Sequence, residues 1–281
     1  MYKSYYGFKR HPFGKDIACD DLFLYRDFQE FQQRIEFLKI HGGVGVLWGE
    51  PGTGKSVGLR WLRSSLNRNR YRFYYLPEPP MTLSDFYRRL AQSMNIDPAY
   101  RRVDVYQQLK EHIMELSGEK GITPIIALDE TQMYHYLILQ HVRFLLNFDI
   151  DSRHYAILLL CGQPKLGKRL KRKEYEPLAQ RVTVRHRFSG LDRAEVERYL
   201  HHRLAVAGVK HQLFEEEAVQ YIYQVTRGNL RKTDTLAVQS LLLGAGLKKK
   251  SIDQPIVEKA VGENFWAWAS GPGTMREILL D

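Results

Sequence analysis

The eight residues Gly49-Glu50-Pro51-Gly52-Thr53-Gly54-Lys55-Ser56 fit the spacing G-x-x-x-x-G-K-[ST], which is built to hold polyphosphate. Glycines let the backbone curl tightly enough to aim successive N–H groups at phosphate oxygens, and a helix starting there adds its positive dipole end. Lys55 supplies a point charge and Ser56 a hydroxyl for magnesium. Gly49, Pro51, Gly52, Thr53, Gly54 and Val57 complete the expected cradle around a nucleoside triphosphate, ATP. The setting agrees, because the apolar run Val44, Val46, Leu47 and Trp48 precedes the loop and a helix-like stretch follows it. Two glycines alone would mark an ordinary turn, but a Lys-Ser pair in register argues against that reading.

Such a site needs a carboxylate facing the loop, and Ile125-Ile126-Ala127-Leu128 ends in Asp129-Glu130, the Walker B pattern. An unbroken apolar run is how a buried parallel strand reads, and ligands of open α/β sheets lie beyond the strand carboxyl ends. Asp129 would therefore face the magnesium ion together with Ser56. Glu130, one position on, would orient or deprotonate the attacking water. Taken alone, the segment reads equally well as a strand ending in a solvated acidic turn; the upstream loop decides between the two.

The elements that must position these residues follow from the pattern of apolar runs. A chain of 281 residues, 44% hydrophobic, holds one large α/β domain and a smaller one. An amphipathic helix is expected from about Asp27, with Phe28, Phe31, Ile35 and Leu38 on one face. Strands are predicted at Val44–Trp48, Arg72–Leu76, Ile122–Leu128, Ala156–Cys161 and Val182–Phe188. Helical patterns lie between the earlier ones, which predicts a doubly wound parallel sheet. The aromatics Tyr71, Phe73, Tyr74 and Tyr75 fall where the second strand is expected and read mainly as core. After Phe188 the pattern turns helical. Leu191-Asp192-Arg193-Ala194-Glu195-Val196 has the form of a capping box with a staple from Leu191 to Val196. Further helices are expected up to Gly228, over Leu230–Leu243 and after Asp253. These divide the chain into an N-terminal segment and helix packing on the core (1–40), the core (41–188), a helical lid (189–264) and a tail (265–281).

Two cysteines, Cys19 and Cys161, indicate no disulfide framework or cysteine-rich zinc site, as suits a reducing cytoplasm. No apolar run approaches the roughly 18 residues of a membrane span, and the N-terminus lacks a signal-peptide core. A soluble, cytoplasmic protein without a membrane partner is expected. The net charge of +10 favours a polyanionic partner. Basic residues cluster after the phosphate loop, at Arg101 and Arg102, and in the six between Lys165 and Lys173.

An α/β core with a helical lid resembles the AAA+ ATPases, and three further residues suit that resemblance. Gln163, just past the strand ending at Cys161, resembles the sensor 1 residue that reaches the γ-phosphate or the attacking water. Arg181, in Leu178-Ala179-Gln180-Arg181-Val182, resembles the arginine finger that one subunit donates to its neighbour's ATP. Gly228-Asn229-Leu230-Arg231 resembles sensor 2, whose arginine reaches the nucleotide. Each alone reads as well as a turn residue, a surface charge or a helix-start arginine; their order and spacing together favour the resemblance. Over residues 1 to about 265 the chain further resembles the ExeA/GspA-like ATPases and the MuB/TnsC-type regulators of DNA transposition. Tyr6-Gly7-Phe8 with His11-Pro12-Phe13 resembles their opening, with Tyr6 and Phe8 where Phe and Leu are usual, and Cys161-Gly162-Gln163-Pro164-Lys165-Leu166 resembles their GQPxL segment.

Secretion-type members usually append a membrane span and a peptidoglycan-binding domain, so the short tail and the basic charge point to the transposition branch. That resemblance implies homo-oligomeric rings or filaments on double-stranded DNA, a transposase partner and a target-selector protein. It also implies DNA contact from the segment after the second strand, here Thr82, Ser84, Arg101 and Arg102. Phosphate contacts of that kind carry little sequence preference. Thr82 or Ser84 reads equally as the cap of a helix beginning near Asp85, and Lys165–Lys173 is a second basic surface. A secretion-assembly ATPase and a replication initiator or loader are the competing expectations. In the tail, Trp266 and Trp268 are expected to pack internally, and the segment after Gly273 to dock on a neighbour or partner.

Overall fold

The computed structural model describes residues 2–146 and 155–263; the tail from 265 lies outside the described residues. The chain divides into two compact units, a sheet unit from Arg26 to Ser189 and a helical unit made of the residues up to Tyr25 and those from Gly190 onward. In chain order the elements are α1 (Tyr2–Tyr6), α2 (Arg26–His41), β1 (Gly43–Gly49), α3 (Lys55–Ser65), β2 (Tyr71–Leu76), α4 (Leu83–Ser93), α5 (Arg102–Met114), β3 (Thr123–Leu128), α6 (Tyr136–Val142), β4 (Ile157–Gly162), α7 (Pro164–Arg169), α8 (Glu176–Ala179), β5 (Val182–Phe188), α9 (Arg193–Val206), α10 (Glu216–Thr226), α11 (Leu230–Gly246) and α12 (Gln254–Glu263).

All strand pairs are parallel and the sheet order is β2-β3-β4-β1-β5. Alternation along the strands sends residues to opposite faces. Val46, Ile126, Leu128, Leu158 and Leu160 join Phe86, Leu90, Leu109 and Ile138 in one core. Leu47, Ile125, Ala127, Ile157 and Leu159 join Phe31, Ile35, Leu38, Leu59 and Leu62 in the other. The sheet is thus covered by α4, α5 and α6 on one face and by α2 and α3 on the other, the doubly wound arrangement expected. The expected strands are all present, with ends moved by at most one residue.

One core residue departs from apolar patterning. His186 on β5 is 1% exposed, and neither ring nitrogen has a hydrogen-bond partner among the described residues. Its ring packs edge-on to Phe188 at 4.5 Å and against Phe31 at 5.7 Å. Burial, reinforced by the nearby Arg34 cation, lowers its pKa to about 4. An unfolded histidine takes up a proton near pH 6.5, so between pH 6.5 and 4 the unfolded chain binds the extra proton. Stability from this residue is complete above pH 6.5 and is lost as the pH falls toward 4, by at most about 1.4 kcal/mol per pH unit. His186→Leu is expected to flatten the dependence of Tm on pH across that window relative to wild type; an unchanged slope would dismiss His186 as the acid-sensitive group.

The helical unit gives the opening residues a different home from the one expected. Only α2 belongs with the sheet, whereas the first 25 residues belong with α9 to α12. Buried Arg203 on α9 is the centre of this arrangement. Its guanidinium donates to the carbonyls of Pro12 and Gly14, each at 2.8 Å, and to the Tyr199 hydroxyl at 3.0 Å. It also lies over the Phe13 ring. Tyr6 donates to the Lys249 carbonyl. The Tyr-Gly-Phe and His-Pro-Phe signature therefore packs on the helices, and the expected segment 1–40 splits between Tyr25 and Arg26. Helix α9 begins with the expected capping box, Asp192 accepting from the Glu195 N–H and Glu195 from the Asp192 N–H.

Candidate active site

Strand order assembles the site. Because β4 lies between β1 and β3, the residues that follow these three strands emerge side by side at one sheet edge. Leu128 pairs with Leu160, and Leu160 with Val46. The chain then leaves β1 into the phosphate loop, β3 into Asp129-Glu130 and β4 into Gln163.

The loop has its expected form. Gly52 and Gly54 have φ of +87° and +108°, a region that costs any residue with a Cβ, and Gly54 is the N-cap of α3 without a side-chain cap. The first turn of α3 therefore presents N–H groups that have no carbonyl four residues back. Lys55 Nζ donates to the carbonyls of Gly49 at 2.7 Å and Glu50 at 3.0 Å, while Thr53 Oγ1 donates to Glu50 O at 2.8 Å. Burial lowers the Lys55 pKa, and the carboxylates of Asp129 and Glu130 act against that. Their field identifies them as the charges nearest in effect to the lysine. Ser56 and Val57 lie in the first turn of α3, Ser56 exposed and Val57 half-buried.

Asp129 is 8% exposed, and both its oxygens are oriented. Oδ1 accepts from the Glu130 N–H at 2.8 Å, and Oδ2 from the Tyr75 hydroxyl at 2.7 Å. Burial, then the bond to Asp129, raises the Tyr75 pKa, so the phenol keeps its proton and remains the donor. Glu130 has φ of +50°, a left-handed conformation costing roughly 1–3 kcal/mol and found where a side chain must be aimed. Its Oε2 accepts from Gln132 Nε2 at 2.5 Å and from Gln163 Nε2 at 3.3 Å.

The structure thus brings Lys55, Asp129, Glu130 and Gln163 to one edge of the sheet, with Tyr75 and Gln132 added. Tyr75 belonged to an aromatic run read as core. Tyr74 joins the core on one face of the sheet, Tyr71 and Phe73 pack partly buried against the core on the other, and Tyr75, on that same face at the end of β2, reaches Asp129. Arg181 sits at the opposite edge of the sheet: its carbonyl accepts from the Val44 N–H at the start of β1, while the phosphate loop follows the other end. Arg231 is an exposed residue in the first turn of α11, which Asn229 caps by accepting from the Lys232 N–H. It belongs to the helical unit.

Residues 39–170 match the family model described as an AAA domain. The crystal structure of Cdc6p from Pyrobaculum aerophilum is similar with a TM-score of 0.70 and 20% identity, over 95% of this chain and 73% of that one. The chain has the AAA+ P-loop ATPase fold. The structure of the Aeropyrum pernix ORC1 protein in complex with DNA is similar in fold, with a TM-score of 0.64 and 16% identity over 91% of this chain and 69% of that one. Among curated proteins, the General secretion pathway protein A of Aeromonas hydrophila is 25% identical over 245 residues. That match takes in 86% of this chain, which spans 44% of the relative's length.

The donors and acceptors gathered at this sheet edge are of the kinds that suit phosphate and a magnesium ion. The uncapped α3 terminus and the Lys55 ammonium are donors set for phosphate, and Asp129 retains lone pairs on both oriented oxygens for a cation. Among the described residues no cluster of three or more His, Cys, Asp or Glu forms a metal site by itself. Ser56 and Asp129 would hold the ion only in company with phosphate oxygens, as magnesium usually is held.

The residues expected to touch DNA come together in part. Thr82, Ser84 and Arg102, with His135 and Leu137, line a cavity of about 330 Å3. Arg101, exposed, is the N-cap residue of α5 beside it. Helix α4 starts at Leu83 rather than near Asp85, and Thr82 is its cap, Oγ1 accepting from the Asp85 N–H at 3.1 Å. The capping alternative is therefore realised for Thr82, whose hydroxyl keeps only its own proton to offer a phosphate; Ser84 stays exposed in the first turn. Of the basic run 165–173, Arg169 turns inward to the Tyr175 hydroxyl and the Gln132 carbonyl. Among the described residues, no helix is long and apolar enough to cross a membrane.

Proposed function

We propose that this chain is an ATP-hydrolysing AAA+ oligomer that binds double-stranded DNA and regulates DNA transposition. The observation carrying this reading is the meeting of Lys55, Asp129, Glu130 and Gln163 at one sheet edge, with a separate cavity in the same sheet unit where Thr82, Ser84 and Arg102 stand among the apolar Met81, Leu83, Leu137 and Ile138. Bound magnesium would neutralise charge on the phosphates. Lys55 and the α3 N–H groups bind and orient the phosphates, Asp129 fixes the cation's place, and Glu130 holds the water and accepts its proton. Gln163, bonded to Glu130, would reach the γ-phosphate or the attacking water, as the resemblance to sensor 1 implies. Arg181 acts on a neighbouring subunit's nucleotide, because its own loop lies across the sheet, and Arg231 is the sensor 2 candidate that the resemblance implies.

Each site is then completed by two subunits, so ATP binding favours assembly and hydrolysis releases it. Tyr6-Gly7-Phe8, His11-Pro12-Phe13 and the Gly162-Gln163-Pro164 segment support the ExeA/GspA and MuB/TnsC groups alike, and the net charge of +10 favours the transposition branch, with a transposase and a target-selector protein as partners. The likeness to General secretion pathway protein A supports a second reading, a secretion-assembly ATPase. DNA binding separates them. We expect ATP-dependent, salt-sensitive binding to any duplex, and Arg101→Ala with Arg102→Ala is expected to weaken it on every sequence. The log–log salt slope should fall by about 2 per subunit engaged, since each phosphate contact contributes about 0.9. ATPase activity without DNA should change little. Undiminished binding would move the DNA path to the Lys165–Lys173 surface, and no binding at all, with an envelope protein retained instead, would favour the secretion reading. Stimulation of a transposase by the ATP-bound protein tests the finer assignment.

A further inference from the structure

Gln132, two residues beyond Glu130, makes contacts that its place in a short loop does not require. Its side-chain Nε2 donates to Glu130 Oε2 at 2.5 Å, while its Oε1 accepts from the Gln163 N–H at 3.0 Å. Only one orientation of the amide suits this pair, because the flipped form would set oxygen against carboxylate and NH2 against N–H. One side chain thereby ties the end of β3 to the end of β4. Its own backbone is held too. Arg169 Nη1 donates to the Gln132 carbonyl at 3.0 Å, and that guanidinium is fixed by the buried Tyr175, whose hydroxyl accepts from Nε at 2.7 Å. On the far side, Thr131 Oγ1 donates to the Cys161 carbonyl at 2.7 Å. Space has been left for the amide: a Cβ on Gly162 would lie 2.3 Å from Gln132 Oε1.

We infer that Gln132 is the positioning residue of the hydrolytic step, holding the Glu130 carboxylate and the Gln163 backbone in one fixed relation. The inference rests on the reading of Glu130 and Gln163 as the hydrolytic pair. Glu130 has a left-handed backbone and a long side chain with three torsions, and nothing in its own conformation chooses where the carboxylate points. Gln163 Nε2 holds it at 3.3 Å, a weaker bond than the 2.5 Å contact from Gln132. Gln132 fixes both at once, since it also holds the residue that carries the second donor. A water placed between Glu130 and a γ-phosphate depends on the carboxylate to within a fraction of an ångström, and misplacement by about 1 Å can cost a reaction 100-fold. Substrate binding needs none of this, because Lys55 and the loop N–H groups do not touch Gln132 among the contacts described.

The test is steady-state ATP hydrolysis by the full chain, with ATP affinity measured in parallel. Gln132→Ala is expected to lower kcat by about 10- to 100-fold and leave KM within about threefold, the pattern of a contact needed only in the transition state. Gln132→Glu keeps the acceptor for the Gln163 N–H but sets a second carboxylate on Glu130. Like charges raise a carboxyl pKa, so the acid limb of its kcat–pH profile should move to higher pH, which a merely structural contact would not cause. Gly162→Ala should displace the amide and cost kcat in the wild-type background, yet add little to Gln132→Ala, because the atom it collides with is gone. Wild-type kcat in Gln132→Ala, an unmoved acid limb in Gln132→Glu, or fully multiplicative losses in the double variant would each overturn the inference. Glu130→Gln separates the levels: normal hydrolysis there removes the underlying reading and the inference with it. Arrested hydrolysis there with a normal Gln132→Ala removes the positioning role alone.

Discussion

Lys55→Ala is expected to abolish nucleotide binding, whereas Glu130→Gln should bind ATP with near wild-type affinity and fail to hydrolyse it, leaving an ATP-bound assembly. The two residues act at different stages. Lys55 Nζ is half-enclosed at the loop, bonded to the Gly49 and Glu50 carbonyls, and it puts a positive charge beside the place the loop offers to phosphate oxygens. Charge-assisted hydrogen bonds contribute about 1.5–3 kcal/mol each, so if the ammonium turns from the loop carbonyls to two phosphate oxygens, its removal lowers affinity roughly 100-fold or more. Glu130 is held by two amide donors beyond the loop, and replacing its carboxylate removes the proton acceptor without removing a phosphate contact. General-base loss costs about 10²–10⁴ in rate. Titration with a fluorescent nucleotide and a phosphate-release assay read the two effects separately. Normal turnover by Glu130→Gln would take the catalytic role away from it.

Arg181→Ala should leave the subunit folded and nearly eliminate hydrolysis, and mixing it with Lys55→Ala protein should restore a measurable part. The basis is distance. Arg181 is tied to Val44 at the start of β1 and the phosphate loop begins at Gly49 at its end, a strand of seven residues or about 20 Å. That span is far beyond one arginine side chain, so the guanidinium cannot serve the loop of its own subunit. Arginine fingers are worth about 10³–10⁵ in rate. In a mixed assembly, an intact loop from the Arg181→Ala subunit meets an intact arginine from the Lys55→Ala subunit. Failure of rescue in oligomers shown to contain both variants would assign Arg181 a role within its own subunit. The backbone bond to Val44 survives the substitution, which is why the fold should persist.

The chemistry was legible wherever it was written as local spacing. Gly54-Lys55-Ser56 and Asp129-Glu130 each need only their immediate neighbours, and the apolar runs before them foretell the strands that aim them. Tyr75 and Gln132 were not legible, because their roles depend on which strand lies next to which. Tyr75 reaches Asp129 only because β2 is paired with β3, and Gln132 reaches Gln163 only because β4 follows β3 in the sheet. Nothing in the order of residues along one strand contains that. Thr82 shows the converse: a hydroxyl that could meet a phosphate is claimed first by the helix it begins. The opening motif was seen as a signature but given to the wrong unit, since the partner that explains Pro12 and Gly14 is Arg203, about 190 residues away in the chain.

That long reach from Arg203 to Pro12 and Gly14 sets an order for synthesis. The sheet unit is a continuous stretch, Arg26 to Ser189, and all its strands are available once the ribosome has passed β5. The helical unit is interrupted by that stretch, so its first 25 residues leave the ribosome early and wait for α9. Until then Tyr6, Phe8 and Phe13, all buried in the finished protein, face solvent. Contacts between such distant residues form late and slowly. The aromatic opening is therefore open to chaperones, or to the same opening on another ribosome, for the whole time that the sheet unit takes to be made.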